Sequence, residues 1–231
     1  ESFLVDKYFN WNKSVFDNNK SSQENMGFSN ISEINYALRK VHENLQSTFL
    51  KYCNKTSKVL DIGCGVGLYL KDFPNDVNLT GIDVSKSYIT KASSQLNSPS
   101  FYCGNYLNFI FDSKFFFIYS ISVLQYVKPS KINLFIKKLN KDLFINGYVF
   151  LQYPHANTKL DLYYPNLAYI KYSPLFLEKL FRLNGFKILN HTHSFDNRNI
   201  SKRFDEKKYK TSIIESFKDG AILIAQKIEQ L

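Results

Sequence analysis

The residues best equipped for chemistry stand between Lys58 and Ser85. Val59, Leu60 and Ile62 make a short apolar run, the pattern of a buried parallel strand, and it stops at Gly63-Cys64-Gly65-Val66-Gly67. A turn with glycine at every second position can take positive φ and lets a ligand approach the backbone. A second run, Val77-Asn78-Leu79-Thr80-Gly81-Ile82, ends in Asp83, 20 residues after Gly63. A carboxylate at that spacing is placed to accept hydrogen bonds from a ribose. The pair reads as a site for a nucleoside-bearing cofactor; the competing reading is a glycine-rich strand-to-helix turn without a ligand. The glycine spacing departs from the G-x-G-x-x-G form of dinucleotide sites.

Cys64 lies inside the turn and reads as a small filler, not a nucleophile. Cys53, Cys64 and Cys103 show no paired spacing, which speaks against a disulfide framework or a zinc site and for a reducing, cytoplasmic setting. No two histidines stand near paired carboxylates at ligand spacing, so no metal is expected.

The elements that must position these residues are marked by periodicity. Ile34, Leu38, Val41, Leu45 and Phe49 recur at steps of three and four, which predicts an amphipathic helix over 32–52. A short helical segment is expected after the glycine turn, and a helix over 85–96 capped by Ser85. Further strands are expected at 101–106, 115–119, 148–153, 187–189 and 221–227. One helix carries Ile132, Phe135, Ile136, Leu139 and Leu143 and stops before Asn146-Gly147. Another runs over 173–183, with Ser173 as cap and Pro174 in its first turn. Strands alternating with helices predict an α/β fold. Residues 1–30 are polar with scattered aromatics and form an N-terminal segment; 31–231 read as one domain with a Tyr-rich insert at about 156–172.

The length of 231 residues suits one domain with a sizeable core. No apolar run approaches a membrane span, and the N-terminal residues show no signal-peptide pattern. The net charge is +10. A basic surface could attract RNA or anionic substrates. The favoured reading is compositional, because lysine, asparagine, isoleucine, phenylalanine and tyrosine are abundant while arginine stands only at Arg39, Arg182, Arg198 and Arg203.

Val59-Leu60-Asp61-Ile62-Gly63-Cys64-Gly65-x-Gly67 resembles the first motif of class I S-adenosylmethionine-dependent methyltransferases. Gly81-Ile82-Asp83-Val84-Ser85 resembles their second, acidic motif, and Ser120 to Val127 resembles the fourth. The run from Tyr172 to Phe186 resembles the family's late helix with its Gly-Phe ending. The resemblance implies a Rossmann-like, seven-stranded, mostly parallel sheet with helices on both faces and a terminal antiparallel strand. It implies S-adenosyl-L-methionine as cofactor and S-adenosyl-L-homocysteine as product. By the same resemblance Asp61, Gly63, Cys64, Gly65, Gly67, Asp83, Val84, Asn105, Tyr106 and Ser120 contact the cofactor, and Arg39 can pair with its carboxylate. Three positions depart from the family pattern: Asn105 stands for an Asp, Phe116 for an Asp, and Gln125 for a His. Gln125 cannot take a proton but can orient a substrate hydroxyl.

The implied reaction is in-line methyl transfer. His155, directly after the fifth strand, is the candidate base; His42, His191 and His193 read as structural or surface residues. Tyr8 and Trp11 from a lid at 1–30, with Tyr126, Tyr163 and Tyr164, are the expected substrate contacts. The expected acceptor is a small polar metabolite, a hydroxyl of a sugar or of a nucleotide- or phosphate-linked sugar. Neither nucleic acid nor membrane is an expected partner. The alternatives are an RNA or protein methyltransferase, a non-catalytic cofactor-binding subunit, and a nicotinamide oxidoreductase. An Asn-Pro-Pro-Tyr motif, common in nucleic-acid N-methylation, is absent where Ser120-Ile121-Ser122-Val123 stands.

Overall fold

Seven strands pair in one sheet. The structure is a computed structural model and describes residues 31–155, 162–164, 169–193 and 220–229. The elements are, in chain order, α1 (Ile31–Tyr52), β1 (Lys58–Ile62), β2 (Asn78–Asp83), α2 (Lys86–Gln95), β3 (Ser100–Cys103), β4 (Phe115–Ile121), α3 (Pro129–Asp142), β5 (Leu143–Pro154), β6 (Leu162–Tyr164), β7 (Tyr169–Lys171), α4 (Pro174–Leu183), β8 (Phe186–His193) and β9 (Gly220–Lys227). The sheet order is β3-β2-β1-β4-β5-β9-β8; strands β1 to β5 run parallel, and β9 lies antiparallel between β5 and β8. This is the α/β sheet that the sequence implies.

Strand periodicity divides the core into two layers. Leu60, Ile62, Ile118 and Leu151 face Ile132, Phe135, Leu139, Leu177 and Phe181 of α3 and α4. Val59, Phe117, Tyr119 and Phe150 face the other way, toward Leu45 and Phe49 of α1 and toward Phe73. Asp61 shares the second face with Val59.

The short helical segment after the glycine turn is a single 3-10 turn, Leu70–Asp72. Pro74 disfavours helical backbone at Phe73, which is extended at φ −76°, ψ 151°. Strand β5 begins at Leu143 rather than Tyr148, because the Asn146-Gly147 turn is absorbed into it as an irregularity. Asn146 has φ 63°, and the pairing with β4 shifts register between Phe115 and Phe117. The remaining elements fall within a few residues of their expected positions.

Candidate cofactor site

Strand order reverses between β1 and β4, which in open α/β sheets puts the ligand crevice at the carboxyl ends of these strands. The glycine turn lies there. Gly63, Gly65 and Gly67 have φ of 74°, 54° and 80°. Their surroundings differ. A Cβ on Gly63 would stand 2.2 Å from Val123 Cγ2, and one on Gly67 would stand 2.7 Å from Leu96 Cδ1. A Cβ on Gly65 would meet nothing within 4 Å. Gly63 and Gly67 thus let the protein clasp its own loop, and Gly65 is the point of open approach. Cys64 is buried against Gly81, and burial together with Asp61 and Asp83 pushes its thiol up, so it is no nucleophile.

Asp83 holds this turn. Its Oδ2 accepts the Gly65 N–H at 2.9 Å and its Oδ1 the Ser85 N–H at 2.8 Å. Burial raises its carboxyl above the ordinary value, against the pull of the Ser85, Gly65 and Val84 amides. Each carboxylate oxygen has two acceptor positions, so capacity for ribose hydroxyls remains. Val84 follows, half-buried, and Ser85 caps α2 by accepting the Tyr88 N–H. Asn105 is exposed, and its Oδ1 accepts the Leu107 N–H at 3.0 Å.

Three of the expected cofactor contacts have partners within the protein. Tyr106 is a core residue: a 3-10 turn over Tyr106–Asn108 swings its ring to 5.4 Å from Phe135, with Lys138 Nζ 4.9 Å above it. Ser120 is buried and its Oγ donates to the Ile62 carbonyl at 3.0 Å, tying β4 to β1. Arg39 lies on the solvent side of α1, 3.9 Å from Glu43.

The acceptor side is built at the ends of β4 and β5. Ser122, at φ 57°, donates its N–H to the Gln152 carbonyl and its hydroxyl to Gln152 Oε1. Farther along the same loop, the Tyr172 hydroxyl donates to the Val127 carbonyl. Between these anchors sit Val123, clasped by Gly63, then Gln125 and half-buried Tyr126. Gln125 Oε1 is buried with no partner among the described residues. His155 is buried at the end of β5 and bridges to Tyr172, the residue after β7. The β6–β7 hairpin carries Tyr163 and Tyr164 in its backbone register. Tyr8 and Trp11 lie outside the described residues. His191 is not a surface residue: its Nε2 is 2.7 Å from the Tyr153 hydroxyl and its Nδ1 2.8 Å from Glu178 Oε1, locking α4 to β8 and β5.

Two residues escaped the sequence reading. Tyr119 is the β4 partner of Asp61 in register, and Tyr69 follows the glycine turn. Asp61 Oδ2 and both tyrosine hydroxyls are buried, with the Tyr119 hydroxyl beside the Asp61 carboxyl. Burial holds the Asp61 carboxyl well above the ordinary value and Asp83 adds to this, while the nearby Tyr119 hydroxyl pulls it down. An open glycine, an acid with spare acceptors and a buried carboxyl fit a ligand that carries both a ribose and a cationic group.

The sheet order is that of the Rossmann-like fold of class I S-adenosylmethionine-dependent methyltransferases. Residues 59–147 match the family described as "Methyltransferase domain". Among solved structures, the N-methyltransferase NodS of Bradyrhizobium japonicum WM9, in complex with S-adenosylhomocysteine, superposes with TM-score 0.67 at 15% identity, covering 95% of this chain and 97% of that one. Magnesium protoporphyrin IX methyltransferase (ChlM) of Synechocystis PCC 6803, with bound S-adenosylmethionine, superposes with TM-score 0.66 at 16% identity, covering 98% and 96%. Among curated proteins, carboxy-S-adenosyl-L-methionine synthase of Helicobacter pylori (strain Shi470) is 30% identical over 101 residues, 41% of this chain and 42% of that protein. The chain spans less than half the length of the curated relatives it matches. Among the described residues, no helix is long and apolar enough to cross a membrane.

Proposed function

We propose that this protein binds S-adenosylmethionine and transfers its methyl group to a hydroxyl of a small polar metabolite, a sugar or a nucleotide- or phosphate-linked sugar. One observation carries the cofactor half. Gly65, the glycine of the turn with open space beside it, is held by Asp83, whose oxygens keep acceptor capacity at the same edge. Bound there, the cofactor supplies an electrophilic sulfonium methyl. The chain supplies position. The loop from Ser122 to Val127 is pinned at both ends, so Gln125 and Tyr126 hold an acceptor in a fixed orientation. His155, at the end of β5, takes the hydroxyl proton. The Tyr-bearing β6–β7 hairpin supports a cap over a sugar. Residues 1–30 act as a lid.

Thermal unfolding tests the cofactor. S-adenosylhomocysteine at about 100 times its dissociation constant should add roughly 2.7 kcal/mol of stability, and NAD should add none. No shift with S-adenosylhomocysteine overturns the reading. Acceptor screening then starts from nucleotide sugars, with the product mass as readout.

A second reading follows from the curated relatives, whose name places their chemistry on the cofactor itself. Mass spectrometry of cofactor co-purified with the protein separates the two. A carboxylated S-adenosylmethionine favours the second reading; unmodified cofactor together with a methylated acceptor favours the first.

A further inference from the structure

Two buried polar side chains stand at the end of β5 on the acceptor side, Gln152 at 2% exposure and Lys171 at 3%. The topology brings them together. Tyr172 bridges to His155 in parallel, so the chain before Tyr172 runs beside the chain before His155, and Lys171 falls level with Pro154. Gln152 is two residues before Pro154, which puts its Cα about 8 Å from that of Lys171. Ile170 and Tyr172 belong to the core layer under α3 and α4, so Lys171 between them lies on the opposite face. Gln152 lies on that face too, paired with Ile222 and following Leu151 of the other layer.

The loop after β4 fixes the Gln152 amide. Ser122 takes a left-handed backbone at φ 57°, a conformation that strains a residue with a Cβ. In that conformation its N–H donates to the Gln152 carbonyl and its hydroxyl to Gln152 Oε1 at 2.9 Å. With Oε1 committed to Ser122, the amide presents its Nε2 hydrogens as donors. An ammonium adds three donors and a positive charge, more than one acceptor group can use. Across from them, β7 packs on the Leu124–Tyr126 turn, where buried Gln125 Oε1 has no partner among the described residues and needs a donor. Donors with a positive charge on one side and an acceptor on the other suit a ligand that has both an anionic group and a hydroxyl.

We infer that Lys171 and Gln152 form an anion subsite, so that the methyl acceptor carries a carboxylate or a phosphate besides its hydroxyl. The inference rests on the acceptor side assigned under the proposed function. Both anions offer oxygens to an ammonium and an amide N–H, and the probes below separate them.

Calorimetry on protein saturated with S-adenosylhomocysteine tests the subsite with glycerol 3-phosphate, glycerate and glycerol, which share hydroxyls and differ in charge. The wild type should bind one of the two anions at least tenfold tighter than glycerol, the size of a hydrogen bond to a charged group, and the preferred anion names the class. Lys171→Met should bring that anion to within about twofold of glycerol, and Lys171→Arg should keep most of the preference. Gln152→Glu, which sets a negative charge against the ligand, should also abolish it and decides the case if Lys171→Met does not fold. A wild type that treats the three probes alike overturns the subsite. So does a preference that survives both Lys171→Met and Gln152→Glu, which would belong to surface lysines. A tenfold loss of S-adenosylhomocysteine affinity in Lys171→Met would assign the charge to the cofactor and overturn it as well. If the wild type does not bind S-adenosylhomocysteine, the cofactor reading falls separately, and the same titrations on ligand-free protein still decide the subsite.

Discussion

The amide of Gly65 donates to Asp83 Oδ2 at 2.9 Å, so the acid expected to hold a ribose also holds the turn over which the ribose must lie. The second oxygen does the same for Ser85, at the start of α2. Asp83 thus joins β2 to the glycine turn and to a helix cap, whatever else it binds.

Asp83→Ala should therefore cost stability without any ligand present. Two part-buried or buried amides lose their acceptor, at roughly 1–3 kcal/mol each. Asp83→Asn keeps one acceptor oxygen and should lose about half as much. Urea unfolding of the three proteins checks this. A ligand-free Asp83→Ala protein as stable as the wild type would show that these bonds hold nothing.

Gly63 and Gly65 should respond differently to alanine. At Gly65 the substitution meets open space and costs the left-handed backbone strain, about 1–2 kcal/mol. The protein should fold and lose binding of S-adenosylhomocysteine. At Gly63 the new methyl runs into Val123 Cγ2, so folding itself should suffer more. Gly63→Ala combined with Val123→Ala should recover part of that loss. Far-UV circular dichroism and unfolding curves distinguish the cases. Equal destabilisation by the two alanines would count against the clasp.

Much of this site was legible because its signals are local. The glycine turn and Asp83 lie within one strand-turn-strand unit, where spacing alone fixes their relation. The reasons for Gly63 and Gly67 were not legible, since Val123 and Leu96 come from distant parts of the chain. Tyr119 closes the apolar run from Phe115 and reads there as one more core aromatic; only the register with β1 sets its hydroxyl beside Asp61. The burial of Tyr106 was not legible for a related reason: its position after a turn was clear, but the packing of its ring against Phe135 comes from a distant part of the chain.

Asp61→Asn should stabilise the ligand-free protein while weakening S-adenosylhomocysteine. The folded protein holds the Asp61 carboxyl above its ordinary value, so it binds a proton more readily than the unfolded chain. That contribution to stability is full below about pH 4 and is lost as pH rises through the folded value. Above the ordinary carboxyl range the folded wild type therefore bears the cost of burying this charge, or of holding the proton that the unfolded chain has released, and the asparagine variant bears neither. The variant's advantage should be on the order of 1 kcal/mol or more at pH 7 and vanish near pH 3.5. Thermal melts across this range check it. A variant less stable than the wild type at pH 7 would show that Asp61 is already compensated.

Lys227 offers the opposite sign at high pH. It is fully buried on β9, and its Nζ donates to the carbonyls of Asn140 and Leu143 at 2.6 and 2.9 Å, closing the end of α3. Burial, with Lys114 nearby, pulls it down to about 8. Between pH 8 and about 10.5 the unfolded chain then holds a proton that the folded protein has released, so this group makes stability rise with pH. The slope cannot exceed about 1.4 kcal/mol per pH unit for one proton. Half-buried Cys53, raised to about 12, and buried Tyr119 and Tyr153, also raised, work against the trend from about pH 9 upward. The wild type alone would mix these effects, and Lys227→Met separates them. The stability of the wild type minus that of Lys227→Met should grow from pH 8 to pH 10, measured by urea unfolding at each pH. A constant difference would mean that Lys227 keeps its proton throughout, held by the two carbonyls against the cost of burial.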